Sequence, residues 1–412
     1  NTNYVFPKNG SYEKEWKKVD SLQEKGLTRS ALAIISGIFS HAKTERNTPN
    51  YIRATIERMK FESYLEEDEY VKSIADLENE AATAYYPAKQ LIYSITAEIY
   101  WRYYQNNRWT FLNRSETRQF ENKDIRTWDL KKIYEKTSYN YHQSLTQAER
   151  SKQITLSSID ALLQKEQGSQ KLRPTLYDLL AHRAIDFFMN EESGLIKPAN
   201  SFAPTGQEYF GSAKDFCQLV VESPDSTSRL LQTVRLLQDV MYFHLKDKDP
   251  QALIDVDLKR LKFVKENSSH LEKDSLYLRA LRTIEQNYST HPCSADATFL
   301  IASYYWEMSN AQVDKTTSSG LRKKCMSLCE GVLKQFSASD AAKNCSYLKA
   351  LLNEKELGLT LEDVAIPNKP ILGLLRFKNI TKAYFKIVKL PASHESDLDR
   401  GLTLEIQKTL LN

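Results

Sequence analysis

The chain has 412 residues, more than a single hydrophobic core organises, so two or three domains or one long array of stacked helices are expected. With 57 Lys+Arg against 53 Asp+Glu, the net charge of +4 provides no phosphate-binding surface and argues against nucleic acid as a partner. Only 12 Gly and 12 Pro occur, no apolar run approaches the roughly 18 residues of a membrane span, and the five scattered cysteines exclude a disulfide-built mini-fold.

From Ser11 the sequence reads as consecutive amphipathic helices. The first carries Trp16, Val19 and Leu22 and ends near Gly26, a residue suited to a left-handed C-cap. Ser30 is expected to cap the second, where Ala31, Ile34, Ile35, Ile38, Phe39 and Ala42 recur at three- and four-residue steps and so share one buried face. Thr48-Pro49 signals a third start, a capping hydroxyl followed by proline at the first helical position, with Ile52, Ile56 and Met59 in line. Val71, Ile74 and Leu77, then Leu91, Ile92, Ile95 and Ile99, continue the pattern up to an aromatic-rich break from Trp101 to Phe111. Beyond it, Thr127 should cap a helix over 128–143, another should run over 147–163, and Arg173-Pro174 should open one carrying Leu176, Leu180, Ala184, Phe187 and Phe188.

Residues 194–206, with Pro198 and Pro204 and few periodic apolar positions, mark a subdomain boundary between a helical part over 1–195 and a second over 207–365. Helices are expected over 207–222, 226–245 and 250–267. Four stripes follow at helical spacing: Tyr277, Leu281, Ile284 and Tyr288; Ala297, Ile301, Tyr304 and Met308; Cys325, Cys329, Val332 and Phe336; Ala341, Cys345, Leu348 and Leu352. Their lengths suit stacked antiparallel helix pairs, a tetratricopeptide-like (TPR-like) α-solenoid without a strict repeat signature. After Leu357 the composition changes, and residues 371–377 and 383–390, separated by Asn379-Ile380, read as a β-hairpin within a C-terminal β region over 366–412. A lone two-stranded ribbon is marginal, so this region is expected to be part of a larger β unit whose remainder lies downstream. The fold class is therefore mainly α, with a short β region at the C-terminal end.

Little chemistry stands out. There is no phosphate-cradling glycine motif and no His-Glu-x-x-His, and the seven histidines are far apart in sequence, as expected of solvated or core-edge residues; no cofactor, metal or catalytic residue is implied. Cys325 and Cys329, one helical turn apart, read as small buried apolar residues, with a disulfide between Cys329 and Cys345 across a helix pair as the bonded alternative. Trp101, Arg108, Trp109, Phe111 and Arg114 form the candidate binding cluster, since exposed rings interleaved with arginines suit sugars, peptides or single-stranded nucleic acid. The competing reading is a packed corner, with Arg108 and Arg114 bonding loop carbonyls while Trp109 and Phe111 plug a groove between helices. Carboxylate pairs such as Glu191-Glu192 supply the raw material of a helical-barrel hydrolase, but charge on helix exteriors is the default.

A set of segments in order carries a resemblance. It comprises Trp16-Lys17-Lys18-Val19-Asp20-Ser21-Leu22, Arg108-Trp109-Thr110-Phe111 with Asn113-Arg114, Asp124-Ile125-Arg126-Thr127-Trp128, Leu172-Arg173-Pro174-Thr175-Leu176 with Ala181-His182-Arg183-Ala184, Ala342-Lys343-Asn344-Cys345, and Arg376-Phe377-Lys378-Asn379-Ile380. Together they resemble the N-terminal helical region of the large alpha-2-macroglobulin-like proteins of Bacteroidetes, running into the first macroglobulin-type domain. The resemblance implies an exported protein, periplasmic or at the outer membrane or cell surface, with a lipid anchor upstream. It also implies a protease or envelope protein as a partner acting through downstream domains. None of the five cysteines is followed by the Gly-Glu-Gln of a thioester. The expected function is a non-catalytic scaffold or protein-interaction module of a protease-trapping or envelope-defence protein; the alternative is an independent peptide- or glycan-binding helical-repeat protein of the envelope.

Overall fold

The computed structural model describes residues 4–65, 69–112, 124–163, 168–192, 202–225, 228–362, 364, 366 and 368–385. The chain is mainly helical, with one two-stranded antiparallel sheet among the described residues. It divides into two compact units, Asn1–Ala297 and Thr298–Asn412.

Unit 1 begins with α1 (Tyr12–Glu24), α2 (Thr28–Thr44) and α3 (Thr48–Ser63). α1 starts where Ser11 Oγ accepts from Lys14 N–H and stops where Gly26 turns left-handed at φ +70°. There the Leu27 N–H reaches Leu22 O at 2.9 Å and the Gly26 N–H reaches Gln23 O at 3.0 Å, a Schellman closure that satisfies two terminal carbonyls. α2 closes in the same way with Arg46 in place of glycine, at φ 56°. The apolar face of α2 is buried as expected, but the chain reaches helical geometry at Thr28, so Ser30 lies inside the helix and caps nothing. Likewise Asn47, not Thr48, accepts the capping bond of α3, and Ile56 points outward at 42% exposure while Tyr51 and Phe61 take the inner positions. Trp16 joins α1 to α3: its indole N–H donates to Asn50 Oδ1 at 2.9 Å, and Arg53 lies 4.0 Å over its ring. At Gly37 a Cβ would meet the Tyr4 ring at 2.6 Å, so the glycine lets the N-terminal segment lie against α2.

α4 (Glu69–Thr83), α5 (Ala88–Asn106), α6 (Arg108–Leu112) and α7 (Leu130–Ser144) follow, then α8 (Ala148–Ser151), α9 (Ser169–Leu172) and α10 (Leu176–Met189). The helix expected over 147–163 is broken: α8 gives way to an extended Thr155 bridged to Thr175, followed by a 3₁₀ run, Leu156–Leu162. Asp129, two residues beyond Thr127, caps α7. α10 opens on a capping box in which Thr175 and Asp178 satisfy each other's backbone N–H groups. The helix expected over 207–222 is a 3₁₀ turn, Gln207–Phe210, and a short α11 (Ala213–Gln218). α12 (Arg229–His244), α13 (Gln251–Asn267) and α14 (Lys273–Asn287) complete the unit, and α12 packs on α10. One core cluster runs through Tyr51, Ile52, Leu77, Leu91, Ile92, Leu176 and Leu180, and another joins Trp16, Val19, Ile35, Ile38 and Phe61. α15 (Ser294–Ala311) spans the division between the units, and Ile301 on it is buried.

In unit 2, α16 (Lys315–Gln335) packs on α17 (Asp340–Asn353), and the predicted stripes supply their buried residues. The ribbon departs from expectation. β1 (Glu356–Leu361) pairs antiparallel with β2 (Gly373–Lys378), in the register Glu356↔Lys378 to Leu361↔Gly373. Thus the strand near 371–377 exists, but its partner precedes it, inside the stretch assigned to helix up to residue 365; Ala383–Phe385 are not strand, and residues 386–412 lie outside the described residues. The ribbon is tied to the end of α17, where Asn379 Nδ2 donates to Leu352 O at 2.7 Å and Glu354 O at 2.9 Å, while Lys378 Nζ reaches Leu351 O at 3.2 Å. These bonds satisfy carbonyls that a helix C-terminus leaves open.

Candidate functional site

The candidate cluster is built on the end of α5. Asn107 stops that helix, its N–H reaching Tyr103 O and Tyr104 O, and the five residues of α6 turn off at once. Below this corner the rings interlock. Trp101 meets Phe187 edge-on at 5.1 Å and Tyr104 at 4.8 Å, Tyr104 meets Phe111 at 5.6 Å, and Tyr141 stacks on Phe187 at 5.3 Å. Burial of these rings joins α5, α6, α7 and α10. It also pushes the phenol of Tyr141 up to about 12.

The five predicted residues therefore separate. Trp101 and Phe111 are buried in the ring cluster. Trp109 does not plug a groove: it is 80% exposed on α6, because a five-residue helix presents only one face inward and Phe111 occupies it. Among the described residues Arg108 pairs with Glu192 at 2.8 Å and bonds no loop carbonyl. Arg114 lies outside the described residues.

Beside the ring cluster opens a groove of about 300 Å³, lined by Trp101, Tyr141 and Phe187 and by polar residues from α5 and α10 that sequence reasoning missed. Glu98 receives both Arg102 and Arg183, and Arg183 also donates to Ser94 Oγ at 2.7 Å. Asp186 on the same rim is held by Lys259. Both carboxylates of the groove are therefore neutralised by cations. The Glu98/Arg102 spacing of four was a readable signal; the contribution of Arg183 from another helix was not. The buried indole N–H of Trp101 has no hydrogen-bond acceptor among the described residues, an uncommon state for a buried donor.

A second cavity of about 530 Å³ lies among α11, α12, α13 and α14. At its base Arg260 is 1% exposed and fully engaged: it donates to Asp257 at 2.8 Å, to Tyr209 O at 2.7 Å and to Gly211 O at 3.0 Å, and lies over Phe216. Burial raises the pKa of Asp257, opposed by Arg260. Two histidines are interior rather than solvated or core-edge. His244 lies between Asp178 Oδ1 at 2.8 Å and Asp247 Oδ2 at 2.7 Å. Burial works to lower its pKa, but hydrogen bonds and charge from both carboxylates prevail and raise it. His182, buried near Arg173 and Lys259, is held well below the usual histidine value by burial first and by those cations second. Among the described residues no group of three or more His, Cys, Asp or Glu could hold a metal ion, and no helix is long and apolar enough to cross a membrane. The five cysteines are thiols, with Cys345 and Cys325 both adjacent to Cys329.

Comparison of the chain with protein-family models, curated proteins and solved structures finds no match in any of the three.

Proposed function

We propose that the chain is a non-catalytic helical scaffold that docks a protein partner, and that its helix pairs form a TPR-like array. The observation that carries this reading is the exposed Trp109 on α6, a helix that Arg108 ties to Glu192, two residues from Asn190 on the groove rim. Large rings held rigidly at the surface are the usual anchors of protein interfaces. The groove chemistry supports docking over hydrolysis, because Glu98 and Asp186 are each bound to cations instead of standing ready for proton transfer.

The macroglobulin resemblance supports reading this scaffold as the front of a larger exported protein of the protease-trapping or envelope-defence kind, periplasmic or at the cell surface. Photo-crosslinking from position 109 of the protein in its native envelope tests the docking half. One discrete protein adduct, weakened by Arg102→Glu with Arg183→Glu, is expected; diffuse labelling indifferent to those changes would reject it. The downstream coding sequence tests the other half, since β-sandwich domains must follow. The aromatic-walled groove favours a second reading, an independent peptide- or glycan-binding protein, if those domains are missing.

A further inference from the structure

Three of the five cysteines meet within one helix pair. Cys325, Cys329 and Val332 are the buried residues of α16, three among 21, and α17 packs against them with Cys345 on its own buried face. Cys329 is the hub. Hydrogen bonds from Cys325 and Cys345 reach its sulfur and favour its thiolate. Cys325 is pushed up by its bond to Cys329 and then by burial.

We propose that this cluster is a thiol-modification site, where a low-molecular-weight disulfide oxidises Cys329 and Cys345 to a bridge stapling α16 to α17, with Cys325 as the second thiol on the hub.

Geometry selects the pair. Side chains on one helix all tilt toward its N-terminus, so Cys325 and Cys329 stand side by side and cannot readily take the near-perpendicular dihedral of a disulfide. Cys345 approaches Cys329 from the facing helix. The shallow packing of α16, with most of its surface open to solvent, gives the oxidant entry through local opening. The chemistry balances as thiol–disulfide exchange. The Cys329 thiolate attacks one sulfur of R–S–S–R; that bond breaks, and the departing RS⁻ takes up the proton Cys329 released. The Cys345 thiolate then attacks the Cys329 sulfur of the mixed disulfide and expels the second RS⁻, which takes up the Cys345 proton. Two protein thiols are oxidised and one small disulfide is reduced to two thiols.

The inference does not depend on the docking function. It is tested by treating the folded chain with oxidised glutathione at pH 8, alkylating the remaining thiols and mapping the peptides. A Cys329–Cys345 peptide pair is expected, reversed by dithiothreitol and accompanied by a rise of several degrees in the unfolding midpoint of unit 2. Cys325→Ala should retain the bridge. Cys345→Ala should leave Cys329 carrying glutathione, and Cys329→Ala should block modification of the other two. Circular dichroism confirms that each variant is folded, with Cys329→Ser as the substitute if Cys329→Ala is not. The idea is overturned if Cys329 resists modification while Cys217 or Cys293 reacts, if Cys325–Cys329 is the main product, or if the bridge forms only in denaturant.

Discussion

α13 and α16 show two ways of holding a helix. α13 buries ten of its 17 residues, among them the Asp257–Arg260 pair; α16 buries three of 21, two of them cysteines. The first is a central helix packed from several sides, by α12, by α14 and by the 3₁₀ turn at Gln207–Phe210. The second is one member of a hairpin. The contrast teaches where burial resides: α13 in unit 1 sinks an ionic pair within a deeply packed apolar interior, and α16 in unit 2 rests on a thin row of small side chains.

The contrast is broken most directly at Arg260. Arg260→Ala leaves Asp257 charged, buried and unpaired, and strips donors from Tyr209 O and Gly211 O, so unit 1 should lose roughly 3–5 kcal/mol in denaturant unfolding. The same truncation logic in unit 2 is milder. Cys345→Ala removes one sulfur from a thin interface and should cost about 1 kcal/mol, read as a shift of the unit 2 transition alone. Equal losses in the two units would refute the distinction.

The histidine-linked pH response should also separate the units, because unit 2 has no histidine among its described residues. The folded pKa of His244 is raised, so its stabilisation is fully present below the ordinary histidine value and is lost as pH rises through the folded pKa. The folded pKa of His182 is depressed, so its contribution is present above the ordinary value and is lost as pH falls. Stability of unit 1 should therefore decline on both sides of the region near pH 6.5. In urea titrations across pH 5 to 8, His244→Gln should flatten the alkaline side and His182→Gln the acidic side; unchanged profiles would show that neither histidine is linked to folding.

Much of the fold was legible. Helix positions from Ser11 to Leu352 follow the 3.6-residue period, since burial of an apolar stripe dominates both sequence pattern and structure. Misreadings cluster where local chemistry competes with that period. Asn47 and Asp129 took caps assigned to neighbouring hydroxyls, and Thr155 left the helical pattern to pair with Thr175. β1 was overlooked because Leu357, Leu359 and Leu361 alternate over only six residues, directly after a helix. The site was less legible. The aromatic segment was conspicuous in sequence, but the residues that line the groove with Trp101, namely Tyr141, Phe187 and the Glu98–Arg183 pair, come from three helices that only folding brings together.

Trp109 is one of the large side chains that unit 1 leaves exposed, with Val220 and Leu271, and it yields the smallest stability effect. If the aromatic corner were all packing, Trp109→Ala would resemble Phe187→Ala, which should cost about 3–5 kcal/mol because that ring touches Trp101, Tyr134, Tyr141 and Phe188. At 80% exposure, Trp109 has little apolar contact to forfeit, so its truncation should stay within about 0.5 kcal/mol in thermal unfolding. A ring 80% exposed presents most of its apolar surface to a partner. A loss comparable to that of Phe187→Ala would return Trp109 to the core and remove the main support for docking at this corner.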